Sequence, residues 1–88
     1  MIDKDKLFLI VYFGVKSMDV FKGNQIMIGF YEKLKQTLDD TIKLYVVPQR
    51  TTDEIKFEIL NTENVSDDKI ISLEKIYQEF LNEFKKSL

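Results

Sequence analysis

The stretch LFLIVYFGV, residues 7–15, contains no charged side chain and mixes aliphatic with aromatic residues up to Gly14. It is far shorter than the roughly 20 apolar residues a membrane-spanning helix needs, and its β-branched and aromatic content favours a strand. In a strand, successive side chains point to opposite faces. Leu7, Leu9, Val11 and Phe13 therefore form one set, and Phe8, Ile10 and Tyr12 the other; both are apolar. Whichever set faces the core, the other is left for the second side of the sheet. Alternation in the neighbouring segments predicts that Phe8, Ile10 and Tyr12 lie outside, beside Tyr45 and Val47.

Outward from this strand, VKSMD reads as a loop in which Ser17 or Asp19 caps a helix. Ile26, Met27, Phe30, Leu34 and Leu38 then recur at spacings of three and four and share one helical face. Gly23 and Gly29 each cost about 1 kcal/mol relative to alanine inside a helix. Either the helix starts beyond Gly23 or a neighbour packs closely on Gly29, and close packing on the sheet is the expectation. Thr41 to Val47 and Glu54 to Leu60 alternate with the two-residue period of half-buried strands. PQRTTD between them, residues 48–53, reads as the turn of a hairpin, with Pro48 ending the strand because it has no N–H to donate. Ser66 followed by Asp67 and Asp68 is a helix start. Ile70, Leu73, Ile76, Tyr77, Phe80, Phe84 and Leu88 carry helical spacing onward, with Lys85 and Lys86 at the negative end.

The order βαββα over residues 1–88 predicts one α+β domain: a three-stranded mixed sheet with two helices on one face. It looks like a ferredoxin-like βαββαβ domain lacking its last strand. In that arrangement the first strand pairs in parallel with the third and forms an edge, and a long apolar edge is a pairing surface. The outer set of the first strand with Tyr45 and Val47 would expose a few hundred Å², the size at which an apolar patch begins to signify contact, unless a terminal segment or a further strand covers it.

Composition narrows the chemistry. The 88 residues include no cysteine and no histidine, which removes disulfides, thiolate nucleophiles and the commonest general base and metal ligand. Asp39-Asp40 and Asp67-Asp68 sit at helix boundaries and match no calcium-loop pattern. The expectation is a protein with no catalytic residue, metal or cofactor. A net charge of −2, with lysines scattered among acids, offers no footprint for duplex DNA. Asp3 and Asp5 argue against a secretory signal; with the absence of cysteine, this favours a cytoplasmic protein that does not enter membranes. Phe8, Tyr12 and Tyr45 could stack single-stranded bases, with Lys43, Lys56 and Arg50 on phosphates, although Lys56 and Glu58 stand where another ring would be wanted. Arg50, flanked by Gln49, Thr51 and Thr52, is suited to a carboxylate or phosphate on a partner; otherwise it pairs loosely with Asp53 or Glu54.

Tyr12-Phe13-Gly14-Val15, Val47-Pro48 and Glu54-Ile55-Lys56-Phe57-Glu58-Ile59-Leu60-Asn61 resemble segments of short open reading frames of tailed bacteriophages. Those proteins are similar in size and in βαββα order. The resemblance implies an accessory protein that binds a host or phage protein, or a minor virion component, in the host cytoplasm or the particle. It transfers no catalytic residue. The functional expectation is a small interaction protein whose binding residues are Phe8, Ile10, Tyr12, Tyr45 and Arg50, with a protein partner or a second copy of itself. The alternatives are a single-strand-binding module and a small-molecule-sequestering protein with a pocket between the first helix and the sheet.

Overall fold

A computed structural model describes residues 7–61 and 66–87. Strand β1 (Leu7–Gly14) is followed by helix α1 (Val20–Thr37), strands β2 (Ile42–Gln49) and β3 (Ile55–Asn61), and helix α2 (Asp67–Lys86). Asp19 caps α1 by accepting from the Lys22 N–H at 2.8 Å, and Ser66 caps α2 by accepting from the Lys69 N–H. Both caps use the short polar side chains that the sequence placed there. The architecture is the expected α+β one, a mixed three-stranded sheet with two helices.

The strand order is β2-β1-β3, with β1 parallel to β2 and antiparallel to β3. This corrects two expectations. β1 is the central strand, not an edge, and it runs parallel to β2 and antiparallel to β3 where a parallel pair with β3 was expected, so the ferredoxin-like order of strands does not apply. β2 and β3 do not form a hairpin; β1 lies between them. The physical reason was present in residues 7–15: the outward side chains of a central strand are half-shielded by those of both neighbouring strands, so a doubly apolar sequence is better placed at the centre of a sheet than at its edge. Pro48 is also inside β2 and does not terminate it.

Arg50 to Glu54 must therefore carry the chain across the end of β1, a gap of about 10 Å at ordinary strand spacing. The crossing is tight. A Cβ added at Gly14 would stand 2.4 Å from the Glu54 carbonyl oxygen and 2.6 Å from the Thr52 carbonyl oxygen. Hydrogen bonds fasten the crossing loop to the chain that leaves β1: Lys16 N–H donates to the Thr52 carbonyl at 3.1 Å, and Ser17 donates to Asp53 from its N–H at 2.7 Å and its hydroxyl at 2.5 Å. These two bonds hold the Asp53 carboxyl below its ordinary pKa.

Both helices cover the face formed by Leu7, Leu9, Val11 and Phe13. All four are buried, together with Phe30 and Leu34 of α1 and Leu73, Tyr77, Leu81 and Phe84 of α2. Phe13, Phe30, Phe80 and Phe84 make edge-on contacts at the centre, with Phe30 4.9 Å from Phe13 and 5.0 Å from Phe84. Tyr77 is buried beside Phe57, its ring 4.6 Å away, and its hydroxyl has no partner among the described residues. Burial pushes that hydroxyl's pKa up to about 12. An unpaired buried hydroxyl costs about 1–3 kcal/mol, so Tyr77→Phe is expected to raise the urea midpoint, by about 1 kcal/mol in stability.

The glycines of α1 divide by surroundings. Gly23 is buried, and a Cβ there would meet Val15 and Met18 at 3.5 Å, an ordinary contact. Among the described residues Gly29 has nothing within 4 Å of the same position, which corrects the expectation of close packing on the sheet. Its helix-weakening effect has no compensating contact. Gly29→Ala is expected to stabilise the fold by about 1 kcal/mol, read as a melting temperature higher by about 4–8 °C.

Candidate functional site: the open face of the sheet

Among the described residues no helix covers the second side of the sheet, and the strand register arranges its side chains in three rows. Phe8 lies between Lys43 and Leu60, Ile10 between Tyr45 and Glu58, and Tyr12 between Val47 and Lys56. The three β1 side chains are half-buried because neighbours flank them, whereas Tyr45, Leu60 and Val47 are 53%, 41% and 38% exposed. The expected outward set is thus the observed one. Phe8 and Tyr45 stack with ring centroids 6.1 Å apart, joining the first two rows diagonally.

The third row is polar at its β3 end. The Tyr12 hydroxyl donates to Glu58 Oε1 at 3.0 Å, and that carboxylate raises the Tyr12 pKa by hydrogen bonding and by its charge. Lys56 lies 3.6 Å from Glu54 in an exposed ion pair, of the kind worth under about 1 kcal/mol. The apolar part of the face is consequently a band from Val47 and Tyr45 through Ile10 and Phe8 to Leu60, with charge confined to its corners and to Glu58.

Four of the five candidate residues, Phe8, Ile10, Tyr12 and Tyr45, are brought together on this face. Arg50 is not among them. It is exposed in the crossing loop beyond Gln49, which pairs with Gly14, so it sits past the far end of the array, about 20 Å along the strand direction from Phe8. Neither proposed acidic neighbour engages it among the described residues, since Asp53 binds Ser17 and Glu54 pairs with Lys56.

Sequence reasoning missed Leu60, although it shares the parity of Lys56 and Glu58 and the alternation could have found it. It also missed Phe21 and Ile28, both exposed on the outer side of α1 and seven residues apart. An open groove of 350 Å³ runs between α1 and the outer edge of β2, lined by Met27, Ile28, Tyr31, Leu44, Tyr45 and Val46. Among the described residues, no helix is long and apolar enough to cross a membrane, and no three acidic, cysteine or histidine side chains gather as metal ligands. Comparisons of the chain with protein-family models, curated proteins and solved structures give no match.

Proposed function

We propose that this chain is a non-enzymatic interaction protein that presents the open face of its sheet to a protein partner. One observation carries the reading: an apolar band formed by Phe8, Ile10, Tyr45, Val47 and Leu60 on a sheet face that no helix among the described residues covers. Contiguous apolar surface on a small domain is costly to leave in water and is characteristic of interaction sites. The resemblance to phage-encoded proteins supports a role as an accessory protein acting on a host or phage protein in the host cytoplasm.

The test places a photo-reactive benzophenone amino acid at Tyr45 or Leu60 and, as control, at Ile71, which is 61% exposed on α2. Irradiation in the native host is expected to give discrete protein adducts from the two sheet positions and at least tenfold less from Ile71. Equal yields from all three positions would defeat the assignment of the face.

The shared side of Phe8, Tyr12 and Tyr45 favours one second reading, stacking of single-stranded bases. Glu58 places a carboxylate within that platform and opposes phosphate. Titration of labelled single-stranded RNA and DNA at low salt decides, and binding that weakens steeply with salt would favour the nucleic acid over a protein partner.

A further inference from the structure

The two edges of the sheet differ. β3 carries Lys56 and Glu58 along its length, charged side chains of the kind that discourage edge pairing, whereas β2 is uncharged from Leu44 to Gln49. The Val15 N–H donates to the Gln49 carbonyl at 2.8 Å, so Gln49 directs its backbone toward β1. By strand alternation Val47, Tyr45 and Lys43 do the same, and Ile42, Leu44, Val46 and Pro48 direct theirs away from the sheet. Two of these four offer no outward donor: Pro48 has no N–H, and the Ile42 N–H already donates to the Asp39 carbonyl at 3.2 Å. The outward donors of β2 are therefore Leu44 and Val46.

We infer that two copies of the chain pair through β2, antiparallel about a twofold axis at Tyr45, to form a continuous six-stranded sheet. In that register Leu44 of each copy exchanges both backbone hydrogen bonds with Val46 of the other, so every outward donor is satisfied. Lys43 lies opposite Val47 of the mate, and the two Lys43 side chains sit about 13 Å apart along the strands. The two Tyr45 rings meet on the open face. On the helical side, Ile28, which is 55% exposed, and Tyr31 flank the same edge, and the groove between α1 and β2 closes against its twofold equivalent. A contact about 26 Å long and 20 Å deep buries about 1,000 Å² in total, the lower bound for a specific interface, so the dimer is reversible. The pairing is independent of the open-face reading, and a monomeric chain would leave that reading intact.

Molar mass by light scattering and sedimentation equilibrium is expected to rise from 10.4 kDa toward twice that value between about 1 and 500 μM. Tyr45→Lys and Tyr45→Glu should each weaken dimerisation at least tenfold through like charges at the axis, and an equimolar mixture of the two should restore it. Because the chain has no cysteine, Tyr45→Cys gives a clean second readout. Facing residues at that non-hydrogen-bonded position are about 4.5 Å apart between Cα atoms, within disulfide reach. Mild oxidation should link Tyr45→Cys into covalent dimers and leave Leu60→Cys mostly monomeric. A constant mass of 10.4 kDa overturns the inference. So does a dimer that Leu60→Cys traps as fast as Tyr45→Cys, which would move the contact onto the open face.

Discussion

Replacement of Phe30 by alanine is expected to cost about 4 kcal/mol, the middle of the range for a buried phenylalanine. The ring is fully buried and packs on Phe13, Phe80 and Phe84, with centroid distances of 4.9, 5.3 and 5.0 Å. These neighbours come from β1 and α2, so truncation opens a void where three elements meet, and none of the three remaining aromatic rings can collapse into it without leaving another. A domain of this length has a total stability of about 4–13 kcal/mol, and the single change consumes a large part of it. Urea unfolding followed by far-ultraviolet circular dichroism measures the loss. If Phe30→Ala proves unfolded at 25 °C, Phe30→Leu supplies the number, with an expected cost of about 1–2 kcal/mol. A loss below 1 kcal/mol for the alanine variant would mean that the aromatic cluster is not the centre of the core.

The second large effect is at Gly14, where alanine is expected to destabilise by about 3 kcal/mol. The obstacle is backbone: the carbonyl oxygens of Thr52 and Glu54 and the carbonyl carbon of Asp53 lie within 2.6 Å of the added Cβ. A flexible side chain could move aside; a chain segment held by Ser17 and Lys16 can do so only by surrendering those bonds. The loss at Gly14 should therefore overlap with that of Ser17→Ala, and the double variant should be less destabilised than the sum of the two. Acid narrows the difference further. The folded-state pKa of Asp53 is depressed, so its contribution is complete above the ordinary carboxylate value of about 3.9 and is lost as pH falls through the folded value. Equal midpoints for wild type and Gly14→Ala at neutral pH would show that the loop does not cross as closely as described.

Element types and caps were legible in the sequence because they follow from local rules. β-branched and aromatic content marked β1, alternation of polar and apolar residues marked β2 and β3, and Asp19, a candidate beside Ser17, and Ser66 announced their helices by the chemistry of their side chains. Phe8, Ile10, Tyr12 and Tyr45 were assigned to one outer face by parity alone. Pairing was harder to read, because it depends on which strands neighbour one another in space. Residues 48–53 carry a proline and a turn-forming TTD, a local signature that fits a hairpin and fits a crossing loop equally well. The discriminating signal was global: β1 is apolar on both faces, which a central position explains better than an edge does. Gly14 and Gly29 illustrate the same division. Nothing near either in sequence tells that one faces three backbone atoms and the other open space.

The separation of β2 from β3 has a kinetic corollary. Strands joined by a short connector find each other in microseconds, long before a partner 35 or more positions away can dock. Chains refolding from denaturant are thus expected to pair Ile42–Gln49 directly with Ile55–Asn61 first, and then to undo that ribbon so that Leu7–Gly14 can slot between its two halves. Proximity along the polypeptide supplies a decoy, and the lifetime of this premature union is expected to set the pace at which the molecule matures.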